Sequence, residues 1–186
     1  MLVFLDFEAS SLGKRSYPIE VAWIFEDGER EAHLIRPAPG WTDWDEAAEA
    51  MHHIARATLE AQGTPHDEVA RRMIDRLSGH DLLASAPSWD GKWLSALLRA
   101  AGLPRHALRL RGTDEARRAC AAAILRGVVP PDRLSATVAD LLAVVEARAK
   151  ARAPVHRALA DAEDEWAHWN AVRAAAQEQA AALSRP

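Results

Sequence analysis

One cysteine, Cys120, is all the thiol chemistry this chain has. A single thiol cannot close an internal disulfide, so the fold rests on packing, and the expectation is a reducing compartment with Cys120 in the interior. Long apolar runs are missing too. No stretch approaches the ~20 residues needed to span a bilayer. The opening residues, Met1 to Asp6, lack a basic leader and meet an acid at once, unlike a signal peptide. The expected location is the cytoplasm, with no membrane partner. Positive charge is also in short supply: 23 Lys and Arg stand against 27 Asp and Glu, for a net charge of -4. That balance argues against a protein that holds nucleic acid by backbone electrostatics alone. It suits an acidic site that attracts phosphate only after taking up cations. Gly/Ser linkers and internal repeats are absent, so the 186 residues read as a single domain spanning 1–186, its alanine-rich end from about 175 expected to fray.

What is present begins with strands. Leu2 to Phe7 is a short apolar run ending in acids, and Ile19 to Glu26 is rich in β-branched and aromatic residues. Asp27-Gly28 is a hairpin turn signal, and Glu31 to Arg36 alternates as a third strand with one exposed face. Helical patterns follow: Asp45 to Gln62, then a helix opened by Thr64-Pro65 and stopped at Gly79. Asp81 to Ala86 reads as a buried fourth strand closed by Pro87, with Asp90 in the following turn. An amphipathic helix with Trp93, Leu94, Leu97 and Leu98 comes next, and Leu108 to Leu110 is a candidate fifth strand. Thr113-Asp114 is placed to cap a helix toward Leu125, and Ser135 or Thr137 to begin another. Pro154 interrupts helical structure before His156, and a last helix carries Leu159, Ala162, Trp166 and Trp169 at helical spacing. A three-strand meander followed by alternating helices and strands implies an α/β sheet covered by helices on both faces. A crossover would lay the fourth strand beside the first.

Asp6 and Glu8 lie two apart at the carboxyl end of the first strand, so they present two carboxylates to one point. Two acids surrounded by apolar bulk repel each other and lose hydration, and a divalent cation relieves both penalties. Hard oxygen ligands favour Mg²⁺ or Mn²⁺. Two such ions roughly 3.5–4 Å apart can stabilise the attacking and leaving oxygens of a phosphodiester. Asp90, flanked by Trp89 and by Trp93-Leu94, is anchored like a third ligand. His156 and Asp161 complete the set. On a continuous helix they would diverge by about 140°, so His156 is placed on a loop and Asp161 in the first turn of the last helix. There Asp161 can hold metal while His156 reaches the attacking water as a general base.

These clusters resemble the motifs of the DEDD exonuclease superfamily in its histidine variant (DEDDh, DnaQ-like or RNase T-like). They are Phe4-Leu5-Asp6-Phe7-Glu8-Ala9-Ser10, Ser88-Trp89-Asp90-Gly91-Lys92-Trp93-Leu94 and His156-Arg157-Ala158-Leu159-Ala160-Asp161-Ala162. The resemblance covers about Leu2 to Trp169. It implies a ribonuclease H-like fold with a five-stranded mixed sheet, Asp6, Glu8, Asp90 and Asp161 as ligands of two ions, and His156 as general base. It also implies substrate contacts from Ser10 and Ser11, from His53 or Ile54 against the terminal base, and from Trp89. The chain departs from the family at Ala9-Ser10-Ser11, where Thr or Ser-Gly is common, and at Ser85-Ala86, where the family often has His-Asn.

The function expected on these grounds is metal-dependent 3′-5′ hydrolysis of single-stranded RNA or DNA to nucleoside 5′-monophosphates, with RNA slightly ahead. Two alternatives stay open: a nucleic-acid-binding or regulatory protein on an exonuclease-like scaffold, and a small nucleotide or oligonucleotide phosphodiesterase. Relatives similar to RNase T act as homodimers, which leaves a homodimer open. Of seven tryptophans, Trp23 and Trp93 read as core, and Trp166 and Trp169 as packing for the last helix. Trp41 and Trp44, in a polar loop, are candidates for stacking on a base or partner. Lys14 and Arg15 are placed to meet substrate phosphate. His52 and the remaining histidines show no ligand spacing.

Overall fold

β1 (Leu2–Ala9) is the strand on which the architecture is centred. In the computed structural model, which describes residues 1–149 and 155–185, it pairs antiparallel with β2 (Pro18–Phe25) and parallel with β5 (Asp81–Ala84). β3 (Arg30–Arg36) extends the meander beyond β2, and β6 (Leu110–Gly112) runs parallel to β5. A two-residue β4 (Thr64–Pro65) closes the far edge, giving the order β4-β3-β2-β1-β5-β6 among the described residues. The sheet is therefore mixed, α/β and six-stranded. The extra strand arises because Thr64–Pro65, expected to open a helix, first pairs with Ile35 and Arg36.

The helices are α1 (Glu46–His52), α2 (Arg56–Gln62), α3 (His66–Leu77), α4 (Pro87–Ala100), α5 (Thr113–Leu125), α6 (Pro131–Ala149) and α7 (Ala158–Leu183). Strand alternation sorts them into layers. Val3, Leu5, Phe7, Val21 and Trp23 meet Val69, Met73, Trp93, Leu94 and Leu97 of α3 and α4. Phe4, Ile24 and Leu83 meet Ala116, Ala162 and Trp169 of α5 and α7 on the opposite face. α6 packs against α5 and α7, away from the sheet.

Several boundaries differ from the sequence expectation for local reasons. The helix read over Asp45 to Gln62 is two helices. His53 adopts the left-handed conformation (φ 57°) as the C-cap of α1, and Ile54, 3% exposed, turns inward against Tyr17, Ile19 and Leu59. Gly63 then lets α2 end against β3: a Cβ there would stand 2.4 Å from the Leu59 carbonyl oxygen and 2.6 Å from the Arg36 nitrogen. Pro87 opens α4 at its first position, which draws Asp90 out of the expected turn into the helix's first turn. The fifth strand falls at Leu110–Gly112 rather than 108–110, and α6 begins at Pro131 rather than at Ser135 or Thr137. α5 starts at Thr113 behind Gly112, without a side-chain cap. The end expected to fray is helical through Leu183, because Val172 and Ala176 are buried against α5 and α6. Cys120 is half-buried rather than fully interior. Pro154 lies outside the described residues. Among those described, no helix is long and apolar enough to cross a membrane.

Candidate active site

The parallel strands β1, β5 and β6 end at one edge of the sheet, and the acids gather there. Asp6 and Glu8 share strand parity with Phe4, so both project to the face covered by α5 and α7. α7 crosses that face with Asp161 in its first turn. One carboxylate oxygen from each of Asp6, Glu8 and Asp161 lies within 4.8 Å of the others. Asp90 arrives from the other layer, at the start of α4. It is 2% exposed, and its Oδ2 is buried without a hydrogen-bond partner among the described residues.

Burial and mutual repulsion hold these acids far from their ordinary titration. Burial raises Asp6 well above the usual carboxylate range, and the charges of Asp90, Glu8 and Asp161 add to it. Glu8 is pushed up to about 7, chiefly by burial and then by Asp161 and Glu20, with Arg157 opposing. Asp90 also rises to about 7 through burial, partly offset by backbone hydrogen bonds at Phe7 and Ala86. Burial raises Asp161, and the nearby His156 pulls it down. A cluster that repels itself and leaves a buried carboxylate oxygen unsatisfied has the donor chemistry of a hard divalent-cation site. All four acids fit that role.

His156 lies on the loop before α7, with φ 53°. A non-glycine residue in the left-handed region is uncommon, and such conformations gather at functional sites. Asp6, Glu8 and Asp161 thus converge at the carboxyl end of β1, with Asp90 close enough to Asp6 and His156 close enough to Asp161 to bear on their charge.

The expected substrate contacts fare unevenly. Ser10 is fully buried, and its hydroxyl accepts from the Tyr17 amide at 3.1 Å. The Ser11 hydroxyl donates to Asp43 and accepts from the Gly13 amide. Both hydroxyls shape the loop after β1 and are engaged within the protein. Ile54 is core, whereas His53 is exposed. Trp89 is 39% exposed at the entrance to α4, with the Lys92 ammonium 5.0 Å from its ring centre. Lys14 and Arg15 are exposed on the loop that Lys92 ties down through the Gly13 carbonyl and the Ser16 hydroxyl. Trp41 and Trp44 are half-buried and engaged within the fold: Trp41 stacks on Tyr17 at 5.0 Å, and the Trp44 indole donates to Glu49.

Two residues at the site escaped the sequence reading. Glu20 is 4% exposed and accepts from Arg157 and from the Ala158 amide. Its signal was an acid inside a strand that is otherwise apolar and buried throughout, which demands a partner. His52, set aside for lack of ligand spacing, is 2% exposed. Its Nδ1 accepts from the Ile54 amide, and its Nε2 has no hydrogen-bond partner among the described residues.

No protein-family model and no curated protein matches the sequence; likeness appears in three dimensions. The moderately thermophilic exonuclease I of Methylocaldum szegediense superposes with a TM-score of 0.67 at 20% identity, covering 93% of this chain and 40% of its own. The zinc-bound complex of Escherichia coli exonuclease I with single-stranded DNA gives 0.66 at 18% identity over the same shares. The chain has the fold of the part of exonuclease I that it covers. A further E. coli exonuclease I structure, in complex with a dA16 oligonucleotide, gives a TM-score of 0.63 at 18% identity and covers 89% of this chain and 39% of that one. The present chain therefore spans about two fifths of the length of the exonuclease I chains it matches.

Proposed function

We propose that this protein is a divalent-metal-dependent 3′-5′ exonuclease acting on single-stranded nucleic acid and releasing nucleoside 5′-monophosphates. The observation that carries the reading is the convergence of carboxylate oxygens from Asp6, Glu8 and Asp161 within 4.8 Å, beside the unsatisfied Oδ2 of Asp90. Two Mg²⁺ or Mn²⁺ ions, when bound, supply Lewis acidity for the attacking and leaving oxygens of a phosphodiester. The chain's own residues do the rest. Asp6, Glu8, Asp90 and Asp161 hold the centre. His156 takes the proton of the attacking water on a ring nitrogen. Trp89 offers an exposed ring on which an unstacked base can rest, and Lys14 and Arg15 offer charge for the phosphate backbone.

The oligonucleotides bound in the structural neighbours are DNA, which moves the balance from RNA toward single-stranded DNA as the substrate. The experiment is incubation with Mg²⁺ or Mn²⁺ and 5′-labelled single-stranded DNA, single-stranded RNA and dinucleotides. A ladder shortening from the 3′ end supports the reading. Binding without cleavage would replace it with a binding protein on a nuclease scaffold, and cleavage of dinucleotides alone with a small phosphodiesterase.

A further inference from the structure

We infer that Glu20 and Arg157 form a latch that positions the His156–Asp161 segment over the acids of β1. This deepens the nuclease reading and rests on it for its kinetic arm. Glu20 is the acid of a strand buried along its whole length. A carboxylate in such a place is tolerable only with full compensation, and among the described residues the start of α7 supplies it. Arg157 grips both oxygens, Nη2 to Oε1 at 2.6 Å and Nε to Oε2 at 3.1 Å, and the Ala158 amide donates to Oε2 at 3.0 Å.

Those donors are placed where a catalytic segment needs fixing. Ala158 is the first residue of α7, and Arg157, its N-cap, makes no side-chain capping bond of its own. Glu20, reaching from β2, does the capping instead, satisfying a free amide and placing negative charge at the helix N-terminus. His156 immediately precedes the fork, and Asp161 follows one turn later, its amide bonded to the Arg157 carbonyl. On the other side, Glu20 stands in register with Glu8. The latch thus joins the strand pair bearing Glu8 to the helix start bearing Asp161 and to the loop bearing His156. The fork is planar and bidentate, so it fixes orientation as well as distance. The Arg157 side chain is 47% exposed, whereas that of Glu20 is 5% exposed; the arginine seals the carboxylate from the solvent side.

The test compares Glu20→Ala, Glu20→Gln and Arg157→Lys with the wild type in three measurements. Amide hydrogen exchange in metal-free protein is expected to accelerate by about tenfold or more at Ala158 and Asp161 in Glu20→Ala, with Val172 and Ala176 unchanged. Mn²⁺ affinity is expected to fall roughly 10–100-fold, the scale seen when groups orienting metal ligands are lost. On single-stranded DNA, kcat is expected to drop with KM within about twofold. Arg157→Lys keeps the charge but not the fork, and should recover only part of each effect. Unchanged exchange at Ala158 and Asp161, or exchange that rises equally at Val172 and Ala176, would overturn the latch, the second by showing a general loss of stability. Should Glu20→Ala fail to fold, Glu20→Gln and Arg157→Lys carry the same comparison. Exchange needs no substrate: an inactive wild type would sink the nuclease reading and leave the latch to be decided by exchange alone.

Discussion

Glu8 and Glu20 face each other across β1 and β2 as a directly opposed pair of carboxylates, and it is Glu20 that carries the arginine fork. Opposed like charges weaken a sheet. The pair persists because one member is neutralised within the fold and the other is left to the cluster with Asp6 and Asp161. β1 thereby holds an electrostatic liability that a cation would discharge, and this asymmetry governs the response to pH.

Without metal, the protein should lose stability as pH rises from about 4.5 to about 7. Glu8 rises from an ordinary 4.5 and Asp90 from 3.8, both to about 7, with Asp6 and Asp161 also raised. In that window the folded chain keeps protons that the unfolded chain has released, so their stabilisation is complete at low pH and disappears as pH climbs through the folded values. Buried His52 and half-buried His168, whose values are lowered, act in the opposite direction below their ordinary 6.5. Asp6→Asn isolates the acids: it should flatten the decline. Melting curves at pH 5, 6 and 8 in chelator decide this, and added Mg²⁺ should raise the midpoint more at pH 8 than at pH 5.

Asp6→Asn should also slow hydrolysis by on the order of 10³-fold or more, the upper scale for losing one fixed electrostatic group, while circular dichroism stays native. Near-wild-type turnover by this variant would remove Asp6 from the site.

His156→Ala should cut kcat by roughly 10²–10⁴-fold, the range for general-base removal, with Mn²⁺ binding retained in a calorimetric titration. Loss of the metal instead would recast His156 as a ligand.

Phe4→Ala should destabilise the protein by about 3–5 kcal/mol, as expected for a buried ring. Phe4 is fully buried and lies 5.8 Å, centre to centre, from Trp169, where α7 rests on the sheet. Urea denaturation measures the loss.

His53→Gly should stabilise the protein by about 0.5–1 kcal/mol. His53 is exposed in the left-handed conformation, which disfavours a side chain by ~1–2 kcal/mol, with part of the gain returned through the more flexible unfolded glycine. A lower urea midpoint would show that the imidazole makes a contact worth more than the strain.

The sheet edge was legible because its signals are local. Apolar strands ending in Asp6-Phe7-Glu8 and the spacing from His156 to Asp161 are written within a few residues each. Strand alternation turns the first into a shared face, and the start of α7 turns the second into a loop residue plus a first-turn acid. The break at His53, the two-residue β4 and the early start of α4 were not legible. The first two are decided by what a segment meets in space, Ile54 by Tyr17 and Leu59 and Thr64 by Ile35; at α4 the proline that closes a strand also suits a first helical position, so the chain alone does not choose between turn and helix at Asp90. The same holds for the contacts. Nothing beside Ser10 or Trp41 in the chain announces that Tyr17 will occupy both. Glu20 was within reach, since an acid in the middle of an apolar strand poses a question about its partner.

The centre draws on both sides of the sheet, Asp90 from the α4 layer and Asp161 from the α7 layer. During synthesis the first 90 residues deliver three of the acids, yet the fourth and the imidazole leave the ribosome only with the segment 156–161. Under the nuclease reading, any fragment that lacks the segment 156–161 carries an incomplete centre, so catalysis waits on the packing of both helical layers against β1.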